Sequence, residues 1–425
     1  MKWSKLILLL AITLVACKTT EEPVEETPSV QTAQHMQRSA KRGVAFNFVY
    51  LSDLPLLSPY ISWDYNWGNT PSDNAADWFD INDIDFCPMC WNGNYNADKI
   101  RAFVAAHPKT KYLLAFNEPN LKDQARMTPS EAAAIWQPVV DLAKELNLKL
   151  VSPAMNYGTL ENYSDPIKWM DEFFALVGTS DIYAISVHCY MASVGGLKTY
   201  IERFRKYDKP VWLTEFCAWD PKPSSEEVQL AYMSDALNYL EQESLVERYA
   251  WFIPRYTGGN DPFMRLITKD EPGELTAAGK IYCGFSSFDK QTYLNTSWIP
   301  VGSYCTVNGT VPNVRPSTDA QLKDLELPLM ITNVSENMTL EYKVSLNSSA
   351  SKFSIRTTGY TSLLLRVYVD GTEITTLAID PTKGIDNWTT STADISVSQQ
   401  PAKGAHTIRL EWLKGNGLAS GFSLQ

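Results

Sequence analysis

The chain has 425 residues, 44% of them hydrophobic and 12% aromatic, so it can bury a large core and exceeds the usual length of one domain. Its 48 acidic and 37 basic residues give a formal net charge of -11. This charge argues against a nucleic-acid partner, because proteins that bind polyanions concentrate Lys and Arg. The composition therefore favours two folded domains and a neutral partner.

The first residues form a predicted targeting segment. Lys2 and Lys5 precede an apolar run, 6–15, that is too short to span a bilayer and is typical of a signal peptide. The run ends in Leu-Val-Ala-Cys17, which resembles the bacterial lipobox. We therefore expect residues 1–17 to be a lipoprotein signal peptide and Cys17 to carry the lipid, which anchors the protein to the outer membrane at the cell surface. The alternative is a plain secretory signal in which the cysteine is incidental.

The rest of the chain divides into a tether and two domains. Residues 18–40 are rich in Glu, Thr, Pro and Gln with few bulky apolar side chains, which predicts a disordered tether. From 41 to 288, β-rich apolar runs alternate with helical stretches, which predicts a parallel α/β fold. The eight runs are Gly43–Phe48, Tyr60–Trp67, Ile84–Trp91, Tyr112–Glu118, Leu148–Ala154, Ile182–Tyr190, Pro210–Phe216 and Arg248–Ile253. Eight strands without an early glycine-rich phosphate loop favour a (β/α)8 TIM barrel over an open doubly wound sheet.

Helix start signals support this division. The stretch Thr128–Glu131 combines a capping box with proline at the first helical position, and apolar residues follow on one face as far as Leu146. Asp165 and Pro166 open a second helix that Gly178 closes, and Ser224 to Glu227 form another capping box.

The C-terminal part, 292–425, has a different texture. Thr, Ser, Asn and Val alternate with apolar residues and no helical period is evident, so we expect an all-β sandwich. Its clearest strands are Ser351–Thr357, Leu363–Asp370 and His406–Trp412, and Asp370-Gly371 is a hairpin turn signal.

Cysteines and histidines give no sign of a metal site. Cys87 and Cys90 form a Cys-x-x-Cys without a second pair or a histidine cluster, so zinc is not expected. The four histidines of the chain show no metal-ligand spacing, and we predict neither metal nor cofactor. Cys283 and Cys305 are candidates for a disulfide at the domain junction, although sequence does not fix the pairing.

Two glutamates stand out because barrel enzymes place their functional groups at the C-terminal ends of strands. Glu118 ends the fourth predicted strand and Glu215 ends the seventh, each directly after an apolar run where an ionised group is costly. Either alone fits a buried ion pair. Together they fit glycosidic cleavage, which needs a proton donor for the leaving oxygen and a nucleophile or activated water on the other side of the anomeric carbon.

The motifs around these glutamates resemble clan A glycoside hydrolases, and more closely glycoside hydrolase family 128. The matching segments are Arg42–Asn47, Phe116–Asn120, His188–Tyr190 and Leu213–Phe216. The resemblance implies a retaining endo-β-1,3-glucanase that acts on laminarin-type glucans, with Glu118 as acid/base and Glu215 as nucleophile. It also implies that Asn117 holds the sugar 2-hydroxyl.

Supporting roles follow from positions at strand ends. Tyr190 can donate a hydrogen bond that keeps Glu215 ionised, whereas His188 fits either the site or the core. Trp251 resembles the clan A tryptophan that floors the cleavage subsite, with a core position as the alternative. Further candidates for sugar contact are Asn47, Trp67, Trp91, Tyr157 and Trp219.

The C-terminal domain resembles carbohydrate-binding module family 6. The segments that carry this likeness are Leu340–Val344, Val367–Gly371, Asn387-Trp388 and Gly404–Leu410. The resemblance implies that Trp388 and Asn416 contact sugar at the loop end of the sandwich, although Trp388 also fits the sandwich core.

Two alternatives remain open at this level. One is a hydrolase of another β-linked polymer, such as mannan, xylan or mixed-linkage glucan, because cleft contacts rather than the carboxylate pair select the sugar. The other is a non-catalytic surface glycan-binding protein on a hydrolase scaffold, which retention of both Glu118 and Glu215 disfavours. The expected partners are a β-glucan and a membrane, with no nucleic acid, and the protein is expected to be a monomer.

Overall fold

The computed structural model describes residues 29–32, 38–259 and 261–425. The predicted signal peptide, with Cys17, and most of the predicted tether lie outside these residues. Within the tether, however, Ser29–Thr32 form a strand, β1, that pairs in parallel with residues 292–295. Ser39 is buried and donates to Glu241 at 2.8 Å. The tether prediction is thus wrong at these positions, because strand pairing and a buried hydrogen bond order a chain without bulky apolar residues.

Eight parallel strands follow, and each overlaps one of the eight predicted runs. They are β2 (Arg42–Ala45), β3 (Trp63–Tyr65), β4 (Asp85–Phe86), β5 (Tyr112–Leu114), β6 (Lys149–Val151), β7 (Ile182–Met191), β8 (Val211–Asp220) and β9 (Val246–Trp251). The sheet order is β4-β3-β2-β9-β8-β7-β6-β5. The backbone of Leu114 hydrogen bonds to Pro88 and Cys90 at 2.9 Å and so links the strands at the two ends of this order. The curled parallel sheet fits a TIM-like barrel.

Helices connect the strands and cover the sheet. They are α1 (Leu54–Leu57), α2 (Asp73–Ile81), α3 (Ala97–Ala106), α4 (Pro129–Ala134), α5 (Gln137–Glu145), α6 (Pro166–Val177), α7 (Val194–Glu202), α8 (Glu226–Gln242) and α9 (Ala277–Gly284). Short 3-10 turns occupy Leu51–Asp53, Arg205–Tyr207, Val301–Ser303, Ala320–Leu322 and Val397–Gln399. None of the helices in the described part of the chain combines the length and apolar character needed to cross a membrane.

The predicted helix signals are mostly confirmed. Thr128 and Glu131 form the expected capping box, and Asp165 caps α6. Gly178 ends α6 with a φ of +73°, a left-handed conformation that glycine adopts without strain. The cap of α8 differs by one residue, because the side chain of Ser225 accepts from the backbone of Val228.

The interior of the barrel is filled by large side chains from alternate strand positions. Trp63, Tyr65 and Trp212 are completely buried there. The guanidinium of Arg248 lies 4.7 Å from the Trp212 ring and pairs with Asp85 at 2.5 Å. The barrel interior is thus a packed core rather than a pore. A binding or catalytic site is therefore expected at the C-terminal end of the barrel.

A β-sheet-rich region follows the barrel. Its strands are β10 (Thr292–Asn295), β11 (Ile299–Pro300), β12 (Thr306–Gly309), β13 (Val314–Pro316), β14 (Leu329–Ser335), β15 (Met338–Leu346), β16 (Lys352–Gly359), β17 (Leu363–Val369), β18 (Thr372–Ile379), β19 (Gly384–Asp394), β20 (Gly404–Lys414) and β21 (Asn416–Leu424). They form a seven-stranded sheet, which includes β1, and a six-stranded sheet. Tyr342 of the first sheet and Phe422 of the second meet with ring centroids 4.8 Å apart. The two sheets therefore share a core.

The junction between the two regions is buried and polar. Asn238 of α8 accepts from Tyr304 at 2.7 Å and donates to the carbonyl of Pro312 at 3.0 Å. Ser234 of the same helix accepts from the backbone of Val314 at 3.0 Å. The candidate disulfide is not formed, because Cys283 and Cys305 are both free buried thiols.

Candidate active site

A cleft of about 590 Å³ opens at the C-terminal ends of the barrel strands. Both predicted glutamates line it, together with aromatic side chains and three amides. The full lining is Trp67, Trp91, Asn117, Glu118, Leu121, Gln124, Asn156, Tyr190, Glu215, Trp219, Phe252 and Ile253. An aromatic cleft with few polar groups is the usual form of a small-molecule or sugar site.

Glu215 is held by three hydrogen-bond donors. It lies in β8 and is 4% exposed. Its Oε1 accepts from the hydroxyl of Tyr65 at 2.9 Å and from the indole N–H of Trp67 at 2.7 Å, while Oε2 accepts from Tyr190. These donors fix the carboxylate in one orientation and stabilise its ionised form.

Glu118 follows β5 and sits in a left-handed backbone conformation with φ of +45°. Such a conformation costs a residue with a side chain about 1–2 kcal/mol and is concentrated at functional sites. The side-chain Oε1 accepts from Asn156 at 3.0 Å and hydrogen bonds with His188 at 2.8 Å. The second oxygen, Oε2, has no hydrogen bond to the residues that the structure describes. Glu118 lines the cleft and therefore keeps one carboxylate oxygen available for a further hydrogen bond.

His188 connects the two carboxylates. Its Nδ1 lies 2.8 Å from Oε1 of Glu118 and 3.3 Å from Oε2 of Glu215, and the ring is completely buried. Burial opposes a charge on the imidazole, but the charges of Glu215 and Glu118 outweigh it and raise the pKa of His188. Nδ1 faces carboxylate oxygens on both sides and therefore acts as a donor.

The two glutamates experience different environments. Burial opposes ionisation of Glu118, but the charge of His188 and the hydrogen bonds from His188 and Asn156 lower its pKa overall. Burial and the nearby charge of Glu118 raise the pKa of Glu215, against the lowering effects of His188, Tyr190 and Trp67. The pKa of each glutamate therefore depends on whether the other carries a proton.

Most of the predicted site residues meet in this cleft. Asn117, Trp67, Trp91 and Tyr190 line it. His188 combines both of its predicted roles, since it is a core residue that contacts the carboxylates. Trp67 has a role that its position did not predict, because it donates a hydrogen bond to Glu215 as well as presenting a ring.

Besides Trp251, four predicted residues lie outside the cleft lining: Asn47, Tyr157, Trp388 and Asn416. Asn47 is exposed and accepts from Asn66 at 3.3 Å, outside the lining of the cleft. Trp388 lies on β19, far along the chain in the sheet-rich region, where it donates to Thr318 at 3.1 Å. Asn416 is exposed at the start of β21.

The prediction for Trp251 requires a correction. Trp251 is completely buried and donates to the carbonyl of Met264 at 2.7 Å, so it belongs to the core. The next residue, Phe252, lines the cleft instead. Successive side chains of a strand point to opposite faces, so a shift of one residue exchanges a core position for a cleft position.

The sequence analysis did not identify two residues that donate hydrogen bonds to the glutamates, or one aromatic residue that lines the cleft. Tyr65 and Asn156 bind the carboxylates, and Phe252 lines the cleft. Tyr65 and Asn156 each follow an apolar strand run, which is the signal that identified Glu118. Neither side chain carries a charge that makes its position costly, so the sequence alone does not distinguish it from a polar residue of the core.

A metal ion would compete with the hydrogen bonds that these groups make with one another. Glu118, His188 and Glu215 each offer one ligand atom, and these atoms all lie within 4.8 Å of one another. A divalent ion bound there would occupy the same oxygens and nitrogen that now hydrogen bond with one another. Metal binding and proton transfer between these groups therefore exclude each other.

A TIM-like barrel that presents two buried glutamates and a linking histidine in an aromatic cleft defines a glycoside hydrolase. The family described as "Glycosyl hydrolase catalytic core" matches residues 43–282, more than half of the chain, and the protein belongs to this family.

Similar proteins of known structure narrow the relationship. A GH128 subgroup II endo-β-1,3-glucanase from Pseudomonas viridiflava is 39% identical with a TM-score of 0.53, over 58% of this chain and 98% of that one. A second such enzyme, from Sorangium cellulosum, is 34% identical with a TM-score of 0.52, over 57% of this chain and 97% of that one. These similarities support a GH128 catalytic core.

A curated relative shares the same region. Alkali-sensitive linkage protein 1 of Schizosaccharomyces pombe is 27% identical over 259 residues. The alignment covers 57% of this chain and 44% of that protein, so this chain spans less than half of the relative's length.

Proposed function

We propose that the enzyme hydrolyses internal β-1,3 bonds of laminarin-type glucans with retention of configuration. The observation that carries this proposal is the close carboxylate pair: one oxygen of Glu118 and one of Glu215 lie within 4.8 Å of each other. Retaining sites hold their carboxyl groups about 5–5.5 Å apart, whereas inverting sites need about 6.5–9.5 Å to admit a water. The names of the two similar GH128 structures support the β-1,3-glucan substrate.

The reaction proceeds in two displacements. Glu215 attacks the anomeric carbon while the glycosidic C–O bond breaks and Glu118 gives its proton to the leaving oxygen. Water then attacks the same carbon, loses a proton to Glu118 and releases Glu215. Asn117 lies beside Glu118 in the cleft, and its buried Oδ1 has no hydrogen-bond partner in the described part of the chain. We assign the Asn117 amide to the sugar 2-hydroxyl, a contact that strengthens in the transition state.

His188 lies between two glutamates whose pKa directions alone favour an ionised Glu118 and a protonated Glu215, the reverse of the state that this reaction needs. Its Nδ1 lies 2.8 Å from Oε1 of Glu118, so the two groups can share a proton. Once Glu118 carries a proton, its negative charge no longer raises the pKa of Glu215. A protonated Glu118 beside a His188 that keeps its positive charge therefore favours an ionised Glu215, which is the state in which one acts as acid and the other as nucleophile.

The test incubates the protein with laminarin, curdlan, mixed-linkage glucan, mannan and xylan, beside the variant Glu215→Gln. Oligosaccharide release from β-1,3-glucan alone, lost in the variant, is the expected result. Release from mannan or xylan would identify another β-linked polymer as the substrate, and binding without release would identify a glycan-binding protein. NMR of the first product should show the β-anomer, since an initial α-anomer contradicts the role given to Glu215.

The anchoring of the enzyme is part of the same proposal. The lipobox-like sequence at Cys17 supports a lipoprotein of the bacterial outer membrane, which places the cleft near extracellular polysaccharide. Detergent-phase partition of the expressed protein should depend on Cys17, and Cys17→Ser should move it to the aqueous phase. Equal partition of both proteins would contradict the anchor.

The sheet-rich region is proposed to bind glycan as a module resembling carbohydrate-binding family 6, through Trp388. This side chain is only partly buried on β19, an edge strand of its sheet. Sedimentation with insoluble curdlan should be weaker for Trp388→Ala than for the parent protein, with hydrolysis of soluble oligosaccharides unchanged. Equal sedimentation would leave Trp388 without a binding role.

A further inference from the structure

A half-exposed tyrosine stands beside the Glu118 side of the cleft. Tyr157 is 47% exposed and directly follows Asn156, whose side chain donates to Glu118. Its own backbone N–H donates to Oδ1 of Asn156 at 2.8 Å. Tyr157 is thus the direct neighbour in sequence of Asn156, the residue that orients the Glu118 carboxylate.

The ring is held in place from one side. Its centroid lies 5.2 Å from that of Tyr200, which is buried, and 5.9 Å from the guanidinium carbon of Arg203. Tyr200 lies in the last turn of α7 and Arg203 is its C-cap, three residues later, so the two side chains lie on the same face of the helix end. The exposed part of the Tyr157 ring therefore faces away from α7, toward solvent.

A salt bridge with Asp165 holds Arg203 in position. Both nitrogen-to-oxygen distances from its Nη2 to the carboxylate of Asp165 are short, at 2.7 and 2.8 Å, while Nη1 donates to the Tyr157 hydroxyl at 3.3 Å. Asp165 is in turn fixed as the N-cap of α6. An exposed aromatic ring that is ordered before any ligand binds loses little conformational entropy on binding, which is the property of a stacking platform.

The position of the ring indicates which part of the substrate it meets. Tyr65 ends β3, Trp67 follows β3 and Phe252 follows β9, so these three rings lie on one side of the barrel mouth, whereas Tyr190 contacts Glu215 from β7. Tyr157 comes after β6, on the opposite side from these three rings, and lies just outside the cleft lining, next to the lining residue Asn156. The oxygen that Glu118 protonates belongs to the leaving part of the glycan.

We propose that Tyr157, held by Arg203 and Asp165, is the stacking platform for the leaving-group sugar of the β-glucan. The inference rests on the proposed hydrolase function and adds a binding subsite to it. Because the flat faces of β-linked glucose are apolar, the exposed face of the ring offers them a matching surface.

The test compares two substrates, of which only one carries sugar on the leaving side. Laminaripentaose carries sugar there, whereas β-laminaribiosyl fluoride leaves as fluoride and carries none. For Tyr157→Ala we expect kcat/KM for the pentaose, relative to that for the fluoride, to fall about 10-fold, the size of one good aromatic contact. Transfer of laminaribiose from the fluoride to an added laminaribiose acceptor should fall in the same variant, since the acceptor occupies the leaving-group subsite.

Matched variants separate the ring from its hydroxyl and from general effects. Tyr157→Phe keeps the ring and should retain the parental ratio, and Tyr360→Ala removes a ring that is 70% exposed in the sheet-rich region and should also retain it. An unchanged ratio in Tyr157→Ala, or an equal loss on both substrates, overturns the platform. A parent protein that cleaves neither substrate overturns the hydrolase proposal itself, and the subsite with it.

Discussion

The indole N–H of Trp67 is one of three donors to Glu215, and its contribution can be separated from that of its ring. Trp67→Phe keeps an aromatic side chain in the cleft and removes the 2.7 Å hydrogen bond. A hydrogen bond to a charged group contributes about 1.5–3 kcal/mol, so kcat/KM should fall about 10- to 100-fold. That bond also lowers the pKa of Glu215, so its loss should move the acidic limb of the pH profile to higher pH.

Trp91 provides the control for this variant. It lines the same cleft, and its indole makes no hydrogen bond to either carboxylate. Trp91→Phe should leave the acidic limb where it is. If both variants move the limb equally, the shift reports cleft polarity rather than the Trp67 bond.

His188 should set the position of the whole pH profile. Its charge lowers the pKa of both Glu118 and Glu215, so removal raises both. The acidic limb of kcat/KM requires ionised Glu215 and the basic limb requires protonated Glu118, and therefore both limbs should move to higher pH in His188→Gln. Activity measured from pH 4 to pH 9, a range set by these groups, tests this.

His107, a histidine far from the cleft, provides the control for the His188 variant. His107 pairs with Asp80 at 2.8 Å between α2 and α3, away from the cleft, and His107→Gln should keep the parental profile. Limbs of His188→Gln that stay in place, or move in opposite directions, would contradict the link between the imidazole and the two carboxylates.

At the scale of elements, a buried ion pair joins the first barrel strand, β2, to helix α8. Arg42 of β2 and Glu241 of α8 meet at 2.6 Å with side chains 1% and 2% exposed. The same guanidinium donates to the carbonyls of Phe285 and Ser286, directly after α9. Glu241→Gln leaves this cation buried without its counter-charge, so the free energy of unfolding should fall by about 3–5 kcal/mol.

Urea unfolding monitored by tryptophan fluorescence measures this loss, and Asp83→Asn is the matched control. Asp83 pairs with Lys109 on the surface, where the two side chains are 73% and 65% exposed. Asparagine tolerates the left-handed backbone of this position as aspartate does, and exposed pairs add little to stability. A control that loses as much stability as Glu241→Gln would show that burial is not the cause.

At the scale of the whole molecule, the barrel and the sheet-rich region should unfold together. Asn238 and Ser234 of α8 are buried against Tyr304, Pro312 and Val314. Buried polar groups are costly to expose without partners, so separating the regions is unfavourable while both stay folded. Calorimetry should therefore show one transition, with glucanase activity lost at the same temperature.

Asn238→Leu probes the same junction. This change leaves the hydroxyl of Tyr304 without its acceptor and should lower the transition temperature of both regions, or split the transition in two. Two separate transitions in the parent protein would show that the regions are independent, and the junction then contributes nothing to cooperativity.

Much of the architecture follows from sequence because the responsible signals are local. All eight barrel strands overlap predicted apolar runs, and the capping box at Thr128 begins α4 as expected. Predictions failed where one residue matters: the helix expected to run on to Leu146 breaks between α4 and α5, and Ser225 rather than Ser224 caps α8. Local patterns define that an element exists more sharply than where it begins.

The sequence by itself determined the carboxylate pair and the barrel that presents it, because strand ends and ionisable residues after apolar runs can be read along the chain. Only the tertiary structure decided what surrounds the pair. Tyr65, Asn156 and His188 reach the glutamates from 38 to 150 positions away in the chain. The exchange of Trp251 for Phe252 likewise depended on which face of β9 the barrel closes over. Contacts between residues distant in sequence are set by chain packing, and no local pattern records them.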